Sequence, residues 1–427
     1  MTTPHRWTLA AGVLVFATIW ARPEPVGLWG VDAGCYARIA KEIAERPLSD
    51  WPNITWGGER YYEHPPLALW IESVAFRVAG PSARTAVTLA RMWATLAALL
   101  TALVAFRLAG DRVAGLSLIA LVTFGGFLNE SQNPMFEIAL TACMALCFVA
   151  VTQRRGRAPL FALGFVAAFF IKGPPALAVF APLVWHVGVR EKQWRSVFAA
   201  AGLALTTVAI AVYGFEHARA VRGLDPYFAT YLERQVLASF TAGRHNPDSN
   251  PLFYLGVLAT SYGPFVVALP FAIWKTRRHR LFELGALWVL AIVCGFSLAK
   301  QKYGWYVHPA MFGAAWVCAL AADAFFDRLP ERLRARVPAV LAIVGALWLA
   351  VTPWIDAPSS PTRGHTAALA RIAWPEAAAP RIVADCAALG EWRAIHLFAF
   401  HWGAKPRPCD DTSAPFRFDG ERLTPAR

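Results

Sequence analysis

The sequence predicts an all-α polytopic membrane protein, a bundle of about 11–13 transmembrane helices. Of its 427 residues, 57% are hydrophobic and 16% are charged, whereas a soluble protein carries roughly 25% charged residues. Apolar stretches of about 20 residues, enough to cross a bilayer, recur along the chain. The basic residues stand mostly in short clusters between these stretches, an arrangement typical of membrane proteins.

Eleven apolar runs are the predicted spans. They cover 7–22, 86–106, 113–129, 136–152, 158–171, 174–189, 196–214, 251–274, 281–298, 304–322 and 337–354. The first run follows His5 and Arg6 but lacks an A-x-A cleavage site. We therefore expect an uncleaved first span rather than a signal peptide.

The basic clusters orient the predicted spans. Four connecting loops are basic, and they contain Arg154, Arg155 and Arg157; Arg190, Lys192 and Arg195; Lys275, Arg277, Arg278 and Arg280; and Arg328, Arg332, Arg334 and Arg336. With a cytoplasmic N-terminus all four fall inside, together with the turn that holds Arg107 and Arg112, as the positive-inside rule requires. These clusters account for much of the net charge of +13, and with no nucleic-acid motif visible we expect no nucleic-acid partner.

The segment 66–79 tests this topology. It is apolar, but it is only about 14 residues long, contains Glu72 and Arg77, and ends at Gly80. As a span it would place every later basic loop outside. We therefore predict an interfacial helix on the outer side.

Three segments are then expected outside. They are a first loop at 23–85, a second loop at 215–250 and a tail at 355–427, which follows a transmembrane domain at 1–354. The tail has strand-like stretches at 381–385 and 394–400. Its Cys386 and Cys409 would face an oxidising compartment, where a disulfide between them is plausible. Two unpaired thiols are the alternative.

Two carboxylates near the outer ends of spans need an explanation. Asp32 precedes an amphipathic stretch, Tyr36–Arg46, so a helix N-terminal acid or a solvated loop charge is the simplest interpretation. Glu137 lies just inside a span, where an ionised side chain costs on the order of 2–3 kcal/mol unless it has a partner or faces a cavity. Asn133 and Glu137 are spaced to share one helical face; a carboxylate reaching to interfacial water is the alternative.

Three lysines break the positive-inside bias at the outer ends of spans: Lys172, Lys300 and Lys302. Cations at that depth indicate an anionic ligand, and a phosphate would suit them. Anionic lipid headgroups are the alternative. Carboxylates and cations together predict a site with a base for an acceptor and cations for a phosphate leaving group.

Five motifs in order carry a family resemblance. They stand at 32–43, 61–70, 133–135, 170–174 and 296–303. Together they resemble the dolichyl-phosphate-mannose protein mannosyltransferase-like family of GT-C glycosyltransferases, which includes the lipid A aminoarabinose transferases. The resemblance extends over residues 20–325, and it implies a GT-C-like bundle with outer loop helices.

The resemblance also implies roles for individual residues. Asp32 matches the acid of the first loop, which binds or deprotonates the acceptor hydroxyl. Glu63 and His245 are similar to the pair that holds a divalent metal in the aminoarabinose branch, although a structural hydrogen-bonding pair is equally open. We expect His64, Lys172, Lys300, Lys302 and Tyr303 to line the phosphate region, and Glu137 to orient the acceptor.

The predicted function is an inverting transfer of a sugar from a polyprenyl-phosphate donor to a lipid, glycan or protein hydroxyl. The predicted location is the inner (plasma) membrane, among membrane lipids, with the site facing the periplasm. The alternative is a transporter or flippase for polyprenyl-linked substrates. Such a protein favours charged or broken helices at the midplane, often with repeats, whereas here the polar residues cluster at one surface.

Overall fold

The computed structural model describes most of the transmembrane region and parts of the tail. The described residues are 6–22, 28, 31–241, 250–333, the positions 336, 339, 340, 343 and 347, and 382–386, 404–411, 413–419 and 422–425. Within them the chain is mostly helical, as predicted.

Sixteen α-helices are described. They are α1 (Arg6–Trp20), α2 (Val31–Ala44), α3 (Leu67–Ala79), α4 (Ala83–Ala109), α5 (Asp111–Thr123), α6 (Gly125–Glu130), α7 (Phe136–Val151), α8 (Arg157–Lys172), α9 (Phe180–Pro182), α10 (Trp194–Ala220), α11 (Tyr227–Tyr231), α12 (Ala238–Thr241), α13 (Phe253–Ser261), α14 (Gly263–Thr276), α15 (Arg280–Ser297) and α16 (Met311–Phe326). Three 3₁₀ segments occur at Leu48–Asp50, Pro174–Val179 and Gly304–Ala310. Two π-helical segments occur at Leu183–Arg190 and Leu232–Leu237.

Helical elements cover the first ten predicted apolar runs, while most of the eleventh, 337–354, lies outside the described residues. Four helices of the described part are long and apolar enough to cross a membrane by themselves, and a bent pair would make a fifth span. The four are Ala83–Ala109, Trp194–Ala220, Arg280–Ser297 and Gly304–Phe326. The chain is thus an integral membrane protein, and its total number of spans stays a prediction.

Three runs predicted as single spans are interrupted instead. The run 113–129 breaks between α5 and α6, just before two glycines, and the run 174–189 begins with Pro174 and Pro175 as a 3₁₀ turn. The run 251–274 bends by 100° between α13 and α14, where Gly263 and Pro264 follow Tyr262. Glycine has no side chain to restrict the backbone, and proline has no amide N–H to donate. Both interrupt helices at places that the apolarity of the run does not reveal.

The basic turns gather at one end of the bundle, as the positive-inside argument predicts. Their contacts join turns that are far apart in the chain: Arg112 pairs with Asp323 and Asp327, Arg157 with Glu191, and Arg190 with Glu283. The start of α1 lies at the same end, because the amides of Trp7 and Thr8 donate to Asp111. We call this the inner end.

The segment 66–79 forms a helix of its own, α3, which packs on the loop helix α2. Arg77 near its end donates to the carbonyl oxygens of Ala44 and Arg46, just beyond α2. Gly80 then leaves the helix with a φ of 83°, a conformation that favours glycine. The first loop is therefore a structured unit rather than an open connection.

The strands form two small sheets. In the first loop, β1 (Thr55–Trp56) and β2 (Glu59–Arg60) make an antiparallel hairpin. In the tail, β3 (Ile382–Asp385), β4 (Lys405–Pro408), β5 (Phe416–Phe418) and β6 (Leu423–Pro425) form a sheet of order β4-β3-β5-β6. In that sheet β3 is parallel to β4 and β5, and β6 is antiparallel to β5.

The tail confirms one predicted strand and decides between the two alternatives for its cysteines. The strand predicted at 381–385 is β3, and a disulfide joins Cys386 to Cys409 at the ends of β3 and β4. The strand predicted at 394–400 lies outside the described residues. The division into domains at residue 354 stays a prediction.

Candidate active site

Asp32 lies in the first turn of α2, in the structured first loop. The helix buries Ile39 and Ile43 on one side and keeps Arg38 near its surface, where this side chain pairs with Glu42. Glu42 also accepts hydrogen bonds from Thr55 Oγ1 and from the amide of Gly57 in the β-hairpin. The hairpin is thus fixed to the helix that carries Asp32.

The carboxyl group of Asp32 is in a negatively charged environment. Burial and then the negative charge of Glu137 raise its pKa to about 6; Lys172 opposes this rise and Glu63 adds to it. Among the described residues Asp32 interacts with these neighbours through charge rather than through a hydrogen bond. A carboxylate with a pKa near 6 is suited to take a proton at neutral pH.

Glu137 and Lys172 form a buried ion pair between α7 and α8. Glu137 is in the first turn of α7 and is 2% exposed, while Lys172 is the last residue of α8 and is 8% exposed. The pairing explains how a carboxylate is tolerated inside a span. The helical spacing of Asn133 and Glu137 was a wrong inference, because α7 begins at Phe136 and Asn133 stands in the turn before it.

The position of Lys172 is set by aromatic side chains. Its Nζ lies 4.7 Å from the centre of the Tyr306 ring, a cation–π contact. Tyr231 donates from its hydroxyl to the Lys172 carbonyl oxygen at 3.0 Å. The next residue, Gly173, has a φ of 71°, and a Cβ there would lie 2.4 Å from the Tyr231 hydroxyl. A larger residue at 173 would therefore displace the backbone that carries the lysine.

His64 belongs to the same region. Its Nε2 lies 3.0 Å from the Tyr36 hydroxyl, and Tyr36 stands one helical turn after Asp32. The Tyr36 ring stacks on Phe136, at 3.8 Å between ring centres. Tyr227 donates a hydrogen bond to the His64 carbonyl oxygen. His64 thus connects the loop helix with the start of α7.

An apolar cavity of ≈ 470 Å³ opens beside this cluster. His64, Lys172 and Tyr306 form part of its wall. The rest comes largely from the 3₁₀ turn after Lys172, from α15 and from the stretch 231–240, which includes the π-helical segment Leu232–Leu237. π-helical turns occur frequently at functional sites. The cavity therefore combines an apolar interior with a cation in its wall.

The other two outer lysines lie elsewhere. Lys300 is exposed, and its Nζ donates to the Thr241 carbonyl oxygen. Lys302 is buried, and its Nζ donates to the carbonyl oxygens of Ser297 and Ala299. Tyr303 stacks on Trp305. None of the three is among the residues that line the cavity, so their role in phosphate binding stays a prediction.

The predicted metal ligands give only part of a site. Glu63 is exposed and lies within electrostatic range of Asp32, whereas His245 lies outside the described residues. In the part of the chain that is described, His, Cys, Asp and Glu side chains form no group of three that could hold a metal ion. The metal stays a prediction, and the mechanism below uses none.

The sequence did not reveal several aromatic side chains of this site. Tyr36 could have been found from its spacing of one helical turn after Asp32. Tyr231 and Tyr306 carry no such signal, because they reach Lys172 from segments far along the chain. A buried pair of Glu130 and His308 was also missed.

Known proteins similar to this chain are transferases. No protein-family model matches it. It is 24% identical over 375 residues to an undecaprenyl phosphate-alpha-4-amino-4-deoxy-L-arabinose arabinosyl transferase of Pseudomonas fluorescens, covering 82% of this chain and 65% of that protein. A transferase of the same name from Sodalis glossinidius is 30% identical over 308 residues, which are 68% of this chain and 55% of the relative. The chain thus spans between 55% and 65% of these relatives.

Solved structures show the same architecture. ArnT from Cupriavidus metallidurans, bound to undecaprenyl phosphate, matches with a TM-score of 0.63 at 20% identity, over 85% of this chain and 68% of that one. The oligosaccharyltransferase AglB of Archaeoglobus fulgidus matches with a TM-score of 0.55 at 12% identity, over 94% of this chain and 64% of that one. The chain is therefore a membrane protein with the fold of the GT-C glycosyltransferases, and its resemblance to the aminoarabinose transferases is confirmed.

Proposed function

We propose that this protein is an inverting glycosyltransferase that moves a sugar from a polyprenyl-phosphate donor to an acceptor hydroxyl at the outer face of the membrane. The observation that carries the proposal is the position of Asp32. Its carboxyl group lies within electrostatic range of Lys172, the ammonium group in the wall of the apolar cavity. A base and a phosphate-binding cation are thus adjacent.

The cavity suits the lipid end of such a donor. Its lining is mostly apolar, so it can remove a prenyl chain from water. Lys172 and His64 stand in its wall, where an ammonium group can neutralise a phosphate. The solved relative with undecaprenyl phosphate bound supports this assignment.

The transfer needs one base and one stabilised leaving group. The Asp32 carboxylate takes the proton of the acceptor hydroxyl while the hydroxyl oxygen attacks the anomeric carbon of the sugar. The bond between that carbon and the phosphate oxygen breaks, and its electron pair leaves with the polyprenyl phosphate. Lys172 stabilises the charge of the departing phosphate. Attack opposite the leaving group inverts the anomeric centre.

Glu137 has two tasks in this scheme. It pairs with Lys172 and so holds the ammonium group in the wall of the cavity. Its negative charge also contributes to the raised pKa of Asp32, which makes that carboxylate a stronger base. The role assigned here is to tune the site, in addition to orienting the acceptor.

The names of the relatives supply the first donor to test, undecaprenyl-phosphate-linked 4-amino-4-deoxy-L-arabinose. An amino sugar suits the site, because its ammonium group would balance the negative charge of Asp32, Glu63 and Glu137. The acceptor is a lipid, a glycan or a protein. The basic inner end supports an orientation in the inner membrane with Asp32 on the periplasmic side.

Transfer in reconstituted vesicles tests the proposal. Wild-type protein, Asp32→Asn and a control, Glu191→Gln at the inner end, are given radiolabelled polyprenyl-phosphate sugars, and label is followed into lipid, glycan and protein fractions. Asp32→Asn should lower the rate by about 10²–10⁴-fold, since that is the contribution of a general base. The control should transfer at the wild-type rate.

Two outcomes would overturn the proposal. One is transfer by Asp32→Asn at the wild-type rate. The other is label that crosses the bilayer while it remains on the polyprenyl phosphate, which identifies a flippase. The transferase names of the curated relatives favour the enzyme over that alternative.

A further inference from the structure

A second buried pair, of one carboxylate and one imidazole, lies near the proposed site. Glu130, the last residue of α6, is hydrogen-bonded to His308 of the 3₁₀ segment Gly304–Ala310, at 2.9 Å between Oε1 and Nδ1. The two residues are 1% and 7% exposed. Neither lines the cavity, and the electrostatic neighbours that set the pKa of Asp32 are Glu137, Lys172 and Glu63.

The pair is not explained by stability. Replacing a buried ionic pair by apolar side chains of similar volume is often neutral or stabilising, so an apolar contact would hold α6 and this segment at least as well. The surroundings also fit the imidazole closely. A Cβ at Gly126 would lie 2.9 Å from His308 Nε2, so the ring occupies space that only a glycine leaves free.

The segment carries Tyr306, two residues before His308. Tyr306 lines the cavity and places its ring 4.7 Å from the Lys172 ammonium group. The backbone on either side of His308 is held as well, since Trp288 Nε1 donates to the Pro309 carbonyl oxygen at 2.7 Å. His308 adds a side-chain connection to α6.

Charge links the two pairs. Glu130 lies within electrostatic range of both Glu137 and Lys172. The ammonium group in the cavity wall therefore responds to Glu130 through the electric field and to His308 through the position of Tyr306. Both influences act on Lys172.

We propose that Glu130 and His308 are positioning residues for the donor: their hydrogen bond holds the segment Gly304–Ala310 so that Tyr306 keeps Lys172 in place for the lipid phosphate. The inference rests on the proposed function and deepens it. Loss of the pair weakens binding of the polyprenyl phosphate, while proton removal by Asp32 proceeds unchanged. Because Lys172 also stabilises the departing phosphate, kcat/KM for the donor falls at least as far as the affinity for polyprenyl phosphate.

The test compares an unpaired, an apolar and a conservative variant in nanodiscs. His308→Ala leaves Glu130 buried without its partner, Glu130→Met with His308→Leu replaces the pair by apolar side chains of similar volume, and Glu130→Gln keeps a hydrogen-bond acceptor. Binding of undecaprenyl phosphate, donor KM, kcat and thermal midpoint are measured for each, with Glu191→Gln as the control at the inner end.

The apolar double variant decides the matter even where His308→Ala fails to fold. We expect it to melt at or above the wild-type temperature and to bind undecaprenyl phosphate about tenfold more weakly, the usual cost of a lost buried hydrogen bond. Its kcat/KM for the donor should fall by at least the same factor. Glu130→Gln should bind nearly as well as wild type. In a Tyr306→Leu background the double variant should add no further loss, because positioning acts through that ring.

Wild-type affinity in the apolar double variant would overturn the inference, as would a loss that adds fully to that of Tyr306→Leu. A fall in kcat with unchanged donor affinity would also overturn it. Failure of the wild-type protein to bind undecaprenyl phosphate would remove the proposed function and this inference together. Binding that is lost in Lys172→Met but unchanged in the double variant would remove the inference alone.

Discussion

The two ends of the helical bundle use charge in opposite ways. At the inner end, several arginines of the short turns pair with acidic side chains, as Arg157 pairs with Glu191 and Arg190 with Glu283, within a surplus of basic residues. At the opposite end, which we call the outer end, carboxylates surround a single described ammonium group in the cavity wall: Asp32 and Glu137 both lie near Lys172. The turns at the inner end thus carry an excess of positive charge, whereas the cluster around Asp32 has an excess of negative charge.

This difference separates structural charge, which stabilises the fold and its orientation, from chemical charge, which takes part in the proposed reaction. The excess of basic residues in the turns orients the chain in the membrane, and the ion pairs among them fasten separate segments together. A carboxylate held near another carboxylate has a raised pKa, and it persists because the fold enforces it. We therefore expect substitutions at the outer end to change catalysis, and substitutions at the inner end to change stability.

The largest effect is expected at Lys172. Lys172→Met removes the charge that stabilises the departing phosphate in the proposed mechanism, and it takes from Glu137 its ion-pair partner in a buried setting. The transfer rate in vesicles should fall by about 10²–10³-fold, the usual cost of losing one preorganised stabilising group. The double variant Lys172→Met with Glu137→Gln should recover folding but not transfer. Transfer near the wild-type rate in that double variant would contradict the role of the lysine.

The pH profile should follow Asp32. Its pKa is raised to about 6, so the carboxylate is the deprotonated base above that pH and becomes protonated below it. The value of kcat/KM should therefore fall about tenfold for each pH unit below the pKa. Measurement of kcat/KM from about pH 4.5 to about pH 8 tests this expectation.

The residual rate of Asp32→Asn provides the control for this profile. It should be flat over the acidic limb, because the titrating group is gone. An acidic limb that persists in Asp32→Asn would assign the titration to another group, such as His64 beside the cavity.

A smaller effect is expected from the cavity wall. Gly295 lines the cavity, and a Cβ built there meets no atom within 4 Å, so Gly295→Phe should fold and fill space meant for the donor. The donor KM should rise about tenfold with little change in kcat. Gly202 on the exposed side of α10 has equally open surroundings. Gly202→Phe is therefore the matched control, and an equal effect of the two would count against the cavity as the donor site.

Much of the architecture follows from the sequence because apolarity and charge act locally. Apolar runs give helices, and the clustering of basic residues gives their common end, as the contacts between the turns confirm. What apolarity does not give is the interruption of a run. The 100° bend between α13 and α14 depends on Gly263 and Pro264, whose effect is backbone chemistry within an otherwise apolar stretch.

The site was predictable only in part, for a similar reason. Glu137 stands out because a charge inside a span is expensive, Lys172 because it breaks the positive-inside bias, and Asp32 through the family resemblance. The structure brings these three together. Lys300 and Lys302 gave the same signal, yet their ammonium groups turn to backbone carbonyl oxygens. The position of a lysine along a span does not tell which way its side chain points. Tyr306 and His308 are apparent only once the segment that carries them is folded against α6 and α8.

The smallest effect on transfer is expected at the inner end. Arg157 donates to Gln193 Oε1 and to Glu191 Oε2, and Glu191 also lies 3.5 Å from His186. Arg157→Gln removes a largely buried ion pair, so the free energy of unfolding should fall by about 1–3 kcal/mol, seen as a lower thermal midpoint. Transfer per folded molecule should stay within about twofold of wild type, because the change lies at the opposite end of α8 from Lys172. A large loss of kcat in folded Arg157→Gln would show that the two ends are coupled through α8, and the division between structural and chemical charge would then fail.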